Sequence, residues 1–366
     1  MENDVVLWIV VATALAFDFT NGFHDTANAV ATSISTRALR PRVAVLLAAA
    51  LNFVGAFLSL EVAATVASGI VEADLVTPAI VFAGLVGAIA WNLATWYFGL
   101  PSSSSHALIG GVVGSAFAAE GAQAIIGEGI IENVAVPALV APILAMVVAG
   151  LAVLVAYRVL GRQHPGTVTR GFRLGQIVSA SLFALSHGTN DAQKTMGIIF
   201  LALVANGSLS ASDDVPTWVI VSAATAIALG TYAGGWRIIR TMGSRIIKMN
   251  PAQGFAAEGA GSAVILSASH VGFPLSTTHV IAGGIMGAGA AERLSAVRWG
   301  IAGNIFAAWV LTLPAAAVVG GVTYGIVQLF GDGAAGPVVV GGALFAGLTT
   351  LAIRRTLAGR TLTAAR

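Results

Sequence analysis

Long apolar runs recur from one end of this 366-residue chain to the other, and each is long enough to cross a bilayer as a helix. Hydrophobic residues make up 57 % of the chain and charged residues only 9 %, whereas soluble domains average about 25 % charged residues. A soluble core of this size would need far more charged surface. The chain is therefore predicted to be an all-α, polytopic membrane protein.

Charged residues fall in the gaps between the apolar runs, and each gap carries mainly one sign. The basic gaps are 37–42, 158–173, 237–248 and 354–360. The acidic gaps are 2–4, 61–74, 120–132, 213–214 and 332. Because basic loops remain cytoplasmic, we predict a plasma-membrane protein with its N-terminus outside and its C-terminus inside. The same placement argues against nucleic acid as a partner, although the net charge is +2. With no cysteine, the chain has no disulfide or thiolate site.

The apolar runs divide the chain into two halves with one plan: span, span, hairpin, span. Single spans are predicted at about 5–36, 43–60, 134–157, 174–206, 216–236, 299–328 and 336–353. The segments are a first repeat, 1–157, with a hairpin at about 76–119; a basic linker, 158–173; a second repeat, 174–328, with a hairpin at about 252–291; and an extra transmembrane helix and basic tail, 329–366. An odd number of crossings per half predicts inverted topology, which is typical of secondary transporters with a site near the midplane. The sequence does not decide how deep each hairpin reaches.

Two short motifs occur once in each half. The stretch "NGFHD" at 21–25 matches "HGTND" at 187–191 in its glycine and aspartate, and "PSSSSH" at 101–106 matches "PLSTTH" at 274–279. Polar, glycine-containing stretches at 17–28 and 186–194 interrupt apolar spans, so a broken helix is predicted in each repeat. Irregular backbone at that depth must face protein or water. Packing between helices is the alternative explanation for small and hydroxylated residues in such spans.

Carboxylates and amides in these stretches are candidate groups for coupling transport to a cation. An ionisable group at membrane depth is costly and functional by default. Oxygen ligands suit small hard cations, and a buried acid can instead carry a proton because burial favours its neutral form. The candidates are Asp25, Asp191, Asn21, Asn190, Asp18 and Glu258. Asp25 and Asp191 are repeat-related, whereas Asp18 and Glu258 have no acidic counterpart in the other half.

The hairpin motifs predict an anion site. A proline ends one arm and hydroxyl residues begin the next helix, where free N–H groups and the positive dipole end attract anions. Capping accounts for one hydroxyl per helix and leaves the others unexplained. Two facing tips would hold a compact oxyanion such as phosphate. The predicted phosphate-binding residues are Ser103, Ser104, Ser105, Ser276, Thr277, Thr278, Asn28 and Lys194.

Histidines and a lysine complete the candidate set. His106 and His279 follow the two tips, and each can contact the anion, titrate, or hold its tip by a hydrogen bond, which we favour; His24 is a further supporting residue. Lys194 stands where the first repeat has Asn28. Its ammonium can pair with Asp191 or attract the anion, but it would oppose a sodium ion.

At these residues the chain resembles the inorganic phosphate transporter (PiT) family. The resemblance is carried by "NGFHDTANAVAT" (21–32), "WNLATWYFGLPSSSSHALIGG" (91–111), "HGTNDAQKTMG" (187–197), "GTYAGGWRIIRTMG" (230–243), "GFAAEGAGSAVIL" (254–266) and "PLSTTHVIAGGIMG" (274–287). It implies symport of phosphate with sodium or protons. His24, Gln193 and Lys194 depart from the pattern of sodium-coupled members and look like the bacterial Pit branch, which implies proton-coupled uptake, with phosphate carried as a neutral complex with a divalent metal.

We therefore expect a non-enzymatic secondary transporter that imports phosphate with protons by alternating access. Sodium coupling is the nearest alternative; an intramembrane hydrolase and a passive anion channel are remote ones. No hydrolase elbow or zinc-protease motif is present. The expected partners are phosphate, a coupling cation, which is H⁺ or alternatively Na⁺, and the lipid bilayer, with no resident cofactor. Helix faces of small residues are compatible with a homodimer.

Overall fold

The structure, a computed structural model, describes residues 2–331, 333–344 and 346–347. Helices account for nearly all of this part, and an isolated antiparallel bridge joins Val71 to Ile125. The α-helices are α1 Glu2–Ser35, α2 Pro41–Gly55, α3 Glu61–Ser68, α4 Pro78–Phe98, α5 Ser104–Glu120, α6 Gly127–Ile130, α7 Val136–Leu160, α8 Pro165–Ala205, α9 Thr217–Ala233, α10 Trp236–Arg240, α11 Pro251–His270, α12 Thr277–Glu292 and α13 Trp299–Gln328, followed by α14 Ala335–Leu344. Helices satisfy their own backbone groups, as a bilayer requires.

The predicted all-α, multi-spanning architecture is confirmed. Within the described part, four helical segments are long and apolar enough to cross a membrane, and α9 with the bent segment after it makes a fifth; the four are Asp4–Ser35, Pro78–Phe98, Gly127–Leu160 and Trp299–Gln328. Most of the predicted linker, from 165 to 173, forms the first turns of α8. The end of the predicted last span and the basic tail lie outside the described residues.

Both predicted hairpins are present. In the first, α4 and α5 pack together, and the N–H of Glu72, before α4, donates to the carbonyl of Ala124, after α5, at 3.0 Å. In the second, α11 packs against α12, and Gln253 Nε2 donates to Glu292 Oε2 at 3.0 Å. The outer ends of each hairpin therefore lie on one side.

The first arm of each hairpin begins after a gap of one charge and ends beside a gap of the other charge. The α4 helix ends at Gly99, whose φ of +66° turns the chain sharply, next to the basic residue Arg237. The α11 helix ends at a similar glycine, Gly272 (φ +87°), beside Glu61. Short extended segments then return to the tips, where Ser103 and Ser276 begin the second arms.

Each hairpin packs against a helix of the other half. The first hairpin, α4–α5, lies on α13, whereas the second, α11–α12, lies on α7. In the same way α1 packs on α9 and α2 packs on α8. Helices α1 and α8 also contact each other, which brings the two polar stretches 17–28 and 186–194 together at the centre.

The prediction of broken helices is wrong. Both α1 and α8 run as continuous helix through their polar stretches. The helices need not unwind, because the polar side chains find partners on neighbouring helices. Thr26 Oγ1, for example, donates to the carbonyls of Gly22 at 2.6 Å and of Thr231, on α9, at 3.1 Å.

Glycines in these stretches serve close packing rather than a break. A Cβ atom on Gly22 would lie 2.3 Å from the carbonyl oxygen of Ile227 on α9, and one on Gly188 would lie 2.2 Å from that of Asn52 on α2. Both obstacles are backbone atoms and cannot move aside. The two glycines therefore allow α1 and α8 to lie against their neighbours.

We predict that Gly22→Ala lowers the free energy of unfolding by about 1–3 kcal/mol, the usual cost of overpacking. The measurement is a thermal unfolding curve of the purified protein in detergent. Gly303→Ala is the matched control, because a Cβ there meets nothing within 4 Å and alanine favours helix over glycine. Equal melting temperatures for the two variants would contradict the packing role of Gly22.

Candidate substrate and ion site

The two tips, 101–106 and 274–279, begin helices α5 and α12. Ser103 caps α5 by accepting a hydrogen bond from the N–H of His106 at 3.1 Å, and Ser276 caps α12 by accepting one from the N–H of His279 at 3.3 Å. One hydroxyl per tip thus satisfies an otherwise free helix N–H. The remaining hydroxyls of the tips are available for other contacts.

The tips touch each other inside the protein. Ser105 Oγ, on the first tip, donates to the carbonyl of Leu275, on the second, at 3.1 Å. The ring centroids of His106 and His279 lie 4.7 Å apart, and the ring of His279 stacks on Trp309 of α13 at 4.0 Å. Both ring nitrogens of His279 lack a hydrogen-bond partner in the described part of the protein, and the serine caps satisfy the first helix N–H groups. That His106 holds its tip by a hydrogen bond stays a prediction.

Lys194 joins α8 to both tips. Its Nζ atom donates to Asp191 Oδ1 at 2.6 Å, to Ser105 Oγ at 2.6 Å and to the carbonyl of Leu275 at 2.7 Å. The side chain is 1 % exposed, and all three ammonium protons have acceptors. The predicted pairing with Asp191 is therefore present, and it places the positive charge between the tips.

On α1, Asn28 and Asp25 contact the second tip. Asn28 Nδ2 donates to Thr278 Oγ1 at 2.8 Å and lies 3.3 Å from Thr277 Oγ1. Thr278 Oγ1 donates to Asp25 Oδ1, and Thr277 Oγ1 donates to Asp191 Oδ2, each at 3.3 Å. Asp25, Asp191, Asn28, Lys194 and the two threonines thus form a single contact network with Ser105, which we call the central cluster.

A histidine stands beside each aspartate of the central cluster. His24 Nδ1 lies 2.6 Å from Asp25 Oδ1, and its Nε2 lies 3.1 Å from Thr95 Oγ1. His187 Nε2 lies 3.1 Å from Asp191 Oδ2. Sequence reasoning singled out His24 and missed His187, although its spacing of four residues from Asp191 places both on one face of a helix.

Three of these residues are placed to hold a metal ion. One ligand atom each from Asp25, His187 and Asp191 lies within 4.8 Å of the other two, and all three side chains are buried. Two carboxylates and an imidazole suit several divalent cations. The carboxylates come from different halves of the chain, so a cation here would tie α1 to α8.

Ser104 and Asp18 have buried oxygen atoms with no hydrogen-bond partner in the described part of the protein. They are Ser104 Oγ, on the first tip, and both carboxylate oxygens of Asp18. Asn21 and Thr195 lie beside Asp18, and each also leaves a buried oxygen without a partner. Since buried polar atoms are normally satisfied, unpaired ones indicate places where a bound species or a proton can enter.

Two further predicted site residues, Asn190 and Glu258, make their contacts away from the central cluster. Asn190 Nδ2 donates to Ser269 Oγ at 2.7 Å and to the carbonyl of Phe273 at 3.1 Å, so it fixes the turn of the second hairpin. Glu258 accepts hydrogen bonds from Thr32 and, at 2.7 Å, from Ser179. It forms a separate buried polar group between α1, α8 and α11.

Every predicted site residue is buried. None of the seventeen is more than 4 % exposed, so the cluster is closed toward both faces of the protein. Its tips carry features suited to an anion, while its aspartates suit a cation. The arrangement can hold a pair of oppositely charged species away from water.

The comparisons with known proteins agree with this geometry. Residues 21–320 match the family described as the Phosphate transporter family. The chain belongs to that family. A probable low-affinity inorganic phosphate transporter of Mycobacterium bovis is 56 % identical over 327 residues, which cover 89 % of this chain and 78 % of the relative. One of Bacillus subtilis is 45 % identical, over 88 % and 97 % of the two chains. The expectation of a non-enzymatic phosphate transporter is thereby confirmed.

A solved structure shares the fold. The chain described as "The sodium-dependent phosphate transporter" matches with a TM-score of 0.75 at 23 % identity, covering 88 % of this chain and 99 % of that one. At this identity the likeness concerns the fold alone.

We predict that Lys194→Met destabilises the fold by about 3–5 kcal/mol, because it leaves the buried carboxylate of Asp191 without its ammonium. The double variant Asp191→Asn with Lys194→Met should regain most of that loss. Thermal or denaturant unfolding in detergent is measured for Lys194→Met, for Asp191→Asn and for the double variant, each against the wild type. Lys248→Met, at an exposed position, is the control and should unfold like the wild type. Simple addition of the two single effects would show that the pair is not coupled.

Proposed function

We propose that the chain imports inorganic phosphate across the plasma membrane in symport with protons, by alternating access between two inverted repeats, with the N-terminus outside. The observation that carries the proposal is the charge of the buried central cluster. Asp25 and Asp191, with Asp18 nearby, face a single ammonium, that of Lys194. With neutral histidines and all three aspartates ionised, two negative charges remain uncompensated.

Binding of phosphate adds further negative charge to the central cluster. Burying an uncompensated charge is costly, so phosphate and the ionised aspartates are stable together only if cations enter with it. Binding of the anion and of the coupling ion then become one event. This is the physical requirement for symport.

Protons suit the groups that are present. His24 beside Asp25 and His187 beside Asp191 form two imidazole–carboxylate pairs, and imidazole exchanges protons readily near neutral pH. The unpaired carboxylate of Asp18 is a third place for a proton. Lys194 opposes a sodium ion close to Asp191, because its ammonium already occupies that side of the carboxylate at 2.6 Å.

A divalent metal can travel with the phosphate as cargo. Asp25, His187 and Asp191 offer its ligands, and a metal–phosphate complex carries less net charge than phosphate alone. The hydroxyls of the tips and Asn28 would then hold the phosphate oxygens. The roles of Asp25 and Asp191 are the same with a metal or with protons, since both lower the negative charge of the cluster.

Alternating access requires the closed cluster to open toward each side in turn. The two halves pack in a matched way, since each hairpin lies on a helix of the other half. This packing supports a motion in which the first hairpin moves against α13 while the second moves in the opposite direction against α7. Contacts between the tips, such as that from Ser105 to Leu275, would break as phosphate enters.

Sodium coupling is the second candidate, favoured by the fold shared with a transporter described as sodium-dependent.

We predict that purified protein in liposomes accumulates labelled phosphate under an inward proton gradient with choline in place of sodium. A protonophore should abolish the accumulation. Asp25→Asn and Asp191→Asn should each reduce uptake at least about a hundredfold, the effect of losing a buried charge contact worth roughly 3 kcal/mol. Asp213→Asn, in an exposed loop, should transport normally. Accumulation that needs sodium at fixed pH would overturn proton coupling.

We also predict that Ser104→Ala leaves stability unchanged and raises the KM for phosphate about ten- to a hundredfold. Its hydroxyl has no partner among the described residues, and a hydrogen bond to a charged group contributes about 1.5–3 kcal/mol. Ser103→Ala should instead lower stability by about 1 kcal/mol through loss of the cap. Uptake kinetics and unfolding curves separate the two effects. An unchanged KM in Ser104→Ala would remove this hydroxyl from the anion site.

A further inference from the structure

A cleft of about 390 Å³ lies outside the central cluster, where the end of α4 meets the segment Trp236–Arg245. We call it the basic cleft. The residues used below are Tyr97, Phe98, Trp236, Arg237, Arg240 and Arg245, all of which line it. Three arginines beside three aromatic rings are an unusual set for a chain with so few charged residues.

The walls of the basic cleft are fixed by contacts. Segment 236–245 bends away from α9 by 59°, at Gly234 and Gly235. Thr241 Oγ1 donates to the carbonyl of Gly99 at 2.9 Å. Arg237 donates to the carbonyl of Tyr97, and its guanidinium lies 5.0 Å from the ring of that residue. Arg237 is therefore part of the wall, held by a carbonyl and a cation–π contact.

The other two arginines are exposed and have no acidic partner in the part of the chain that the structure describes. Arg240 and Arg245 reach the surface, and among the described residues neither has a carboxylate within 4.0 Å. Arg298 adds a further positive charge, since its Nη1 donates to the carbonyls of Ser244 and Arg245 at 3.0 and 3.3 Å. The cleft is thus strongly positive, and the described residues provide no carboxylate that pairs with its two exposed arginines.

The aromatic residues place the cleft at the membrane surface. Tyr97, Phe98 and Trp236 are 51 %, 71 % and 50 % exposed, and exposed tyrosine and tryptophan gather at the level of lipid headgroups. Ser35, two residues before Arg37, donates to the carbonyl of Gly243. Two basic gaps, 37–42 and 237–248, therefore meet on this face, which is the predicted cytoplasmic one.

We propose that the basic cleft binds a phosphate group at the cytoplasmic membrane surface. Guanidinium groups recognise phosphate oxygens in bidentate fashion, and basic pockets between helices on this side hold anionic headgroups. Two sources share this chemistry: the headgroup of an anionic lipid, and free phosphate leaving the central cluster. Gly99 lines the cleft, and the first tip begins two residues later along the chain. Either ligand would therefore contact the segment that positions Ser103–Ser105.

The test uses the full chain with Arg240→Gln and Arg245→Gln together, leaving Arg237 in place because it holds the wall. Arg170→Gln with Arg173→Gln is the matched control, since it removes the same charge from exposed positions on α8. In one arm, native mass spectrometry measures binding of phosphatidylglycerol, with phosphatidylcholine as the neutral comparison. In the other arm, equilibrium binding of labelled inorganic phosphate is measured in detergent without lipid.

We expect affinity to fall about fivefold for each arginine lost, or about thirtyfold for both. Loss of phosphatidylglycerol binding in the cleft variant alone identifies a lipid headgroup. Loss of a second phosphate-binding component, with the central one retained, identifies free phosphate. Equal losses in the cleft variant and the control, or no loss in either arm, overturn the proposal. Because the measurements are of binding, failure here is distinct from failure of the proton-coupling proposal.

Discussion

The ammonium of Lys194 is the interaction on which the arrangement of the centre depends. It is bound at once to a carboxylate of α8, to a hydroxyl of the first tip and to a carbonyl of the second. An ammonium buried this deeply requires such full coordination, because isolated charges are not tolerated in a low-dielectric interior. Any movement that separates the tips must therefore exchange these contacts for others, and an incoming anion beside Lys194 is the natural replacement.

Much of the fold follows from the sequence, since run length and charge placement predict helices and their sides. The apolar runs located the hairpins, and the paired motifs located the hydroxyl tips and the buried aspartates. The continuous course of α1 and α8 was not, because unwinding was inferred from polar residues whose partners lie on distant helices. Gln193 illustrates the difficulty: its Oε1 accepts from the N–H groups of Val62 and Ala63 at the start of α3, 130 residues away along the chain.

The candidate site was predictable in its residue types but not in its contacts. Paired motifs indicated which residues belong to the site, whereas the contacts of each side chain depend on three-dimensional packing. Asn190 shows this best, because its motif places it beside Asp191 in sequence while its amide faces the turn of the second hairpin. His187 was overlooked although it lies in the polar stretch 186–194. Its spacing of four residues from Asp191 indicates a contact only if the helix continues through that stretch, where a break was predicted.

The exchange of partners between the halves has a consequence for biogenesis. The first hairpin rests on α13, the last long helix of the described chain, and α1 rests on α9. While the ribosome is still extending the chain, the polar face of α1 has entered the bilayer without the helices that will cover it. A fragment carrying only one half would lack the helices that cover its buried aspartates, so neither half contains a complete set of packing partners.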